Sequence, residues 1–82
     1  MIEREKSERA MSAICAGIIW AKNFAYEKRP HKEIGDFLDY LEGMVHLMMR
    51  KEDETEMFEL ALKEMHERFG CGYMQYKYDN PQ

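Results

Sequence analysis

Three histidines, two cysteines and sixteen acidic residues are the side chains of this chain that could do chemistry. Their spacing limits what they can do. Glu42 and His46 stand one helical turn apart, and His66 lies between Glu64 and Glu67. A metal site needs three or four converging ligands. A di-metal carboxylate bundle needs acids projecting inward from all four of its helices, and Arg9 to Tyr26 holds no carboxylate. No metal or other cofactor is expected, and the histidines read as solvated or hydrogen-bonded. Cys15 and Cys71 are too far apart for a zinc motif and form no C-x-x-C. Cys15, among Ile14, Ile18 and Ile19, is expected to be a small buried hydrophobe. Cys71 stands between two glycines, a position open to exposure. The sequence contains no G-x-S-x-G, no glycine-rich phosphate loop and no Cys/His nucleophile pattern. No catalytic residue is assigned, and the chain reads as non-enzymatic.

Two charged segments remain. Lys28, Arg29 and Lys32 surround Pro30, with His31 between them, where a second helix is expected to begin. Backbone N–H groups at a helix start favour an anion, so these three cations are the candidate anion-binding residues. Glu33-Ile34-Gly35-Asp36-Phe37-Leu38, followed by Tyr40-Leu41, resembles the E-x-x-D helix of MazG-type all-α nucleotide pyrophosphohydrolases. The resemblance implies an alternative function, a small magnesium-dependent nucleotide hydrolase. Glu33 and Asp36 would then share the metal with an upstream pair, Glu5 and Glu8. That pair leads into AMSAICAGIIWA, where the family has a glutamate-rich amphipathic helix.

The elements that position these residues are helical. Ala10–Ala21 holds no charge, and helix 1 is expected from about Glu3 to Glu27. At about 100° per residue, Met11, Ile14, Cys15, Ile18 and Ala25 fall on one side. Ala13, Gly17, Trp20 and Phe24 fall nearly opposite. A surface helix needs one apolar stripe, and two apolar faces call for two partners. The face made by Ala13, Gly17, Trp20 and Phe24 is therefore the expected self-association interface. Pro30 breaks the chain before helix 2, His31 to Arg50, whose apolar residues recur from Ile34 to Met48 at three- and four-residue steps. Asp53 with Glu56 reads as a capping box for helix 3, which runs to Phe69 and stops at Gly70. The tail from Cys71 holds Tyr73, Met74, Tyr76 and Tyr78, and its first half is expected to strap back over the bundle.

Composition bounds the rest. Hydrophobic residues make up 45% and charged residues 34% of the chain, which describes a globular rather than a disordered sequence. A net charge of -4 argues against binding to phosphate backbones, so nucleic acid is not an expected partner. The apolar run is shorter than the roughly 20 residues a membrane span needs. IEREKSER carries acids where a signal peptide has a basic segment and an apolar core, so cytoplasm is the expected location. The sequence thus predicts an all-α fold: a small three-helix bundle with a tyrosine-rich C-terminal tail, completed by oligomerisation. Residues 1–79 are expected to form one helical domain, with 80–82 a disordered end. The functional expectation is a protein-binding or regulatory module acting as a homo-oligomer through its apolar first helix, its partners being itself and another protein.

Overall fold

The apolar periodicity of the sequence is realised as four helices. The computed structural model describes residues 4–28, 30–50 and 52–81, those at 24–26 by their backbone alone. The helices are α1 (Arg4–Tyr26), α2 (His31–Met49), α3 (Thr55–Phe69) and α4 (Gly72–Asp79), and no strand occurs among the described residues. α1 packs against α4 and α2, and α3 packs against the same two, so α1 and α3 lie diagonally across the bundle. The molecule measures 38 × 22 × 18 Å.

The expected tail is the fourth helix, which corrects the three-helix arrangement. Gly70 adopts φ 74°, the left-handed conformation that ends α3, and its N–H donates to the carbonyl of His66 at 2.9 Å. The N–H of Cys71 reaches back to Met65 at 3.1 Å. These paired bonds satisfy carbonyls that a helix end leaves open, and they reverse the chain onto the bundle. Met74 and Tyr78, one turn apart, then enter the core. Asn80 closes α4 with its N–H on the Tyr76 carbonyl at 2.9 Å.

Large side chains of the core come from α2, α3 and α4: Phe37, Met44, Phe58, Leu62, Met65, Phe69, Met74 and Tyr78. Phe37 meets Phe69 edge-on at 5.3 Å, and Phe58 stacks on Tyr78 at 5.6 Å. α1 answers with small residues, Ala10, Ala13, Ala16 and Gly17. Gly17 is required by proximity. A Cβ there would lie 2.7 Å from Leu41 Cδ1 and 3.0 Å from Met74 Cε, inside the ordinary carbon contact of about 3.5–4.0 Å.

Polar contacts tie the helix ends together. Arg9 Nε donates to the Tyr78 carbonyl at 2.9 Å, its guanidinium lies 4.2 Å above the Tyr78 ring, and Asp79 is 3.6 Å away. The last turn of α4 is thereby fastened to the first turns of α1. At the start of α3, the capping arrangement differs from the expected box. Asp53 Oδ1 accepts the N–H of Thr55 at 3.0 Å and also the Thr55 hydroxyl, while the cap position falls on Glu54. Lys6 Nζ donates to Asp53 Oδ2 at 2.7 Å. The bond from Lys6, with those from Thr55, holds the Asp53 carboxyl well below the usual carboxylate range.

Candidate functional site

Of the residues expected to form a self-association face, the three whose side chains are described turn toward the chain's own core. Ala13 has no exposure, Gly17 is covered by Leu41 and Met74, and Trp20 is half-buried against the core. The Phe24 side chain lies outside the described residues. Small residues on this side of α1 do admit a close neighbour, but the neighbours are α2 and α4 of the same chain. Cys15, expected to be buried, is exposed, and Cys71 is fully buried. Burial pushes the Cys71 thiol up, with the backbone N–H groups of Met74 and Tyr73 partly opposing it.

α1 turns its other apolar side outward. Met11, Ile18 and Ile19 are 55%, 46% and 52% exposed, with Cys15 between them. A groove of about 570 Å³ runs between this face and α4, floored by Met11, Cys15, Ile19 and Tyr73, with Glu8 and Lys77 on its rim. Tyr73 and Tyr76 stack at 6.3 Å and extend the apolar surface along α4. Leaving contiguous apolar side chains of this size in water is unfavourable, and such patches mark contact surfaces. A second groove of similar volume lies between α2 and α3, lined by Tyr40, Leu47, Met57 and Leu60, with Asp39 and Glu64 at its edges.

Sequence reasoning missed the outward residues because Met11, Cys15 and Ile18 look like a core stripe. The signal that locates them is charge phase. Glu8, Met11, Cys15, Ile18 and Lys22 follow one another at steps of three and four, a single seam along the helix. Charges at both ends of that seam place it in water. The buried side of α1 between Ala10 and Gly17 carries only small groups besides Ile14.

The acidic pairs of the hydrolase alternative are not brought together. α2 packs back along α1, and Gly17 faces Leu41. Asp36 therefore comes level with the region of Lys22, about 21 Å from Glu8 along the helix axis. A magnesium ion takes ligands at about 2.0–2.1 Å, so the four acids cannot hold one ion within a single chain. Asp36 instead faces Arg68, with 3.6 Å between Oδ2 and Nη2. No group of three or more His, Cys, Asp or Glu positioned for a metal occurs among the described residues. Of the anion-binding candidates, Lys28 and Lys32 are exposed, and Lys28 has φ 56° in the turn after α1. Arg29 lies outside the described residues.

No protein-family model, curated protein or solved structure matches the chain. No helix among the described residues is long and apolar enough to cross a membrane.

Proposed function

We propose that this chain is a small non-enzymatic protein-binding module that works as a homo-oligomer, associating through the outward face of α1. One observation carries the reading. Met11, Cys15, Ile18 and Ile19 form an exposed apolar strip on the longest helix, flanked by the exposed Tyr73 and Tyr76 of α4. The strip replaces the Ala13–Phe24 face as the surface available to a second copy. Burying a side chain of this size removes about 1.5–3 kcal/mol of unfavourable hydration if burial is complete, and two such faces meeting would shelter both. A domain of this length buries a modest share of its surface alone, so association also stabilises the fold.

Ile18→Asp tests the reading. The residue is nearly half exposed, so the substitution leaves the isolated bundle intact while placing a charge in the contact. Sedimentation of both proteins from micromolar to sub-millimolar concentration is the measurement. The wild type is expected to shift towards a dimer or larger species as concentration rises. The variant is expected to stay monomeric with an unchanged helical circular dichroism spectrum. A wild type that sediments as a monomer throughout would overturn the proposal.

A further inference from the structure

The outward face of α1 is self-complementary about its own midpoint. Cys15 stands midway between Arg4 and Tyr26, the ends of the helix, and is exposed. About two turns in one direction lies Glu8, and the same distance in the other lies Lys22; both are exposed. About one turn either way lie Met11 and Ile19, each roughly half exposed. A two-fold axis through Cys15 sets each residue of these pairs against the other member on a second copy. Glu8 then faces Lys22 twice, and Met11 packs on Ile19 twice. A parallel pairing in the same register would set Glu8 against Glu8 and Lys22 against Lys22.

We propose that two copies of this chain pair antiparallel along α1, with their Cys15 side chains meeting on the two-fold axis. The proposal rests on the self-association reading above and specifies its geometry. Three features fit it. Cys15 and its neighbour Ser12 are small, so the helices can approach to the 8–10 Å typical of packed pairs, while Met11, Ile18 and Ile19 fill the contact on either side. Antiparallel helices set opposite macrodipole ends side by side. Self-complementary contact of one patch with itself is what a two-fold dimer requires. Glu8 already accepts a bond from Arg4 at 3.1 Å on its own helix, and Lys22 of the second copy would join that pair at the rim. Exposed ion pairs contribute little affinity, but like charges facing each other select against the wrong orientation.

Charge reversal and thiol trapping test the geometry. Glu8→Lys and Lys22→Glu are each expected to weaken dimerisation several-fold at low salt, because one reversal creates two repulsive pairs by symmetry. The double variant restores opposite charges at both positions and is expected to recover wild-type affinity. Oxidised glutathione should join two Cys15 thiols of the wild-type dimer as a disulfide, two molecules of reduced glutathione leaving with their protons. Cys15→Ser is expected to dimerise without being trapped. Cys71, fully buried, is not expected to take part. A dimer in sedimentation whose Cys15 thiols are not joined, or whose double reversal does not recover, would overturn the antiparallel register and leave self-association standing. A wild type that is monomeric would overturn both.

Discussion

Gly17→Ala separates a contact inside the chain from one between copies. In a helix interior, alanine gains about 0.8–1.0 kcal/mol over glycine from backbone entropy. Against that gain stands the added Cβ, 2.7 Å from Leu41 Cδ1 and 3.0 Å from Met74 Cε and Sδ. Normal contact requires those atoms to retreat by about 0.5–1 Å. Leu41 is 6% exposed and Met74 has no exposure, so neither can swing into solvent, although the thioether can adjust its rotamer. Overpacking of this kind costs about 1–3 kcal/mol. The expected balance is a net loss of about 1 kcal/mol, equivalent to about 4–8 °C in Tm for a domain of this size. Gly17→Leu should reach the upper end of the overpacking range, about 3 kcal/mol. Urea unfolding followed by circular dichroism measures both, repeated at several protein concentrations. Because the crowded partners belong to the same chain, the difference from wild type should be equal at every concentration. A neutral or stabilising alanine, or a difference that grows with concentration, would refute the packing assigned to Gly17.

Three further outcomes are expected. Arg9→Ala removes the charged donor to the Tyr78 carbonyl and the cation above its ring; after allowance for the partial exposure of Arg9, unfolding should cost about 1–2 kcal/mol less, and an unchanged urea midpoint would contradict the fastening role. The Asp53 carboxyl is held below its ordinary value of 3.8 in the folded state, so the unfolded chain takes up this proton first as pH falls. Its contribution is complete above that ordinary value and is lost on acidification towards the folded one; Asp53→Asn should therefore flatten the acid limb of stability against pH, and identical limbs would count against the Lys6 contact. With an aromatic disulfide reagent at protein concentrations low enough to keep the chain monomeric, one thiol per chain, Cys15, should react in the native state and Cys71 only on denaturation; two equally fast thiols would contradict the burial of Cys71.

Helix periods, the break at Pro30 and the stop at Gly70 were legible from local chemistry. α2 and α3 fall within a residue or two of their expected ends. α4 was not legible as a helix because an isolated segment of this length has little helical stability of its own. Burial of Met74 and Tyr78 against α1 and α3 stabilises it, and that is a tertiary effect. The choice of buried face on α1 failed for a related reason. Bulky side chains were expected inward, yet α2, α3 and α4 already fill the interior with Phe37, Phe58, Phe69 and Tyr78. The space left for α1 suits alanine and glycine. Sequence alone lists which residues are small; it does not say that another helix has already used the volume.

Fastening α4 to α1 has a consequence for synthesis. Arg9 and Tyr78 are separated by 69 positions, and the two helices they join are the first and last of the bundle. At translation rates of about 5–20 residues per second, α1 waits several seconds for the helix that brings Met74 against Gly17. During that interval the side of the nascent helix that meets α4 is bare as well as its outward strip, and neighbouring chains on the same message present identical surfaces. A chain interrupted after α3 would keep this trench open permanently. Such fragments are expected to aggregate or be degraded, which makes the integrity of the final helix a checkpoint on the solubility of the first.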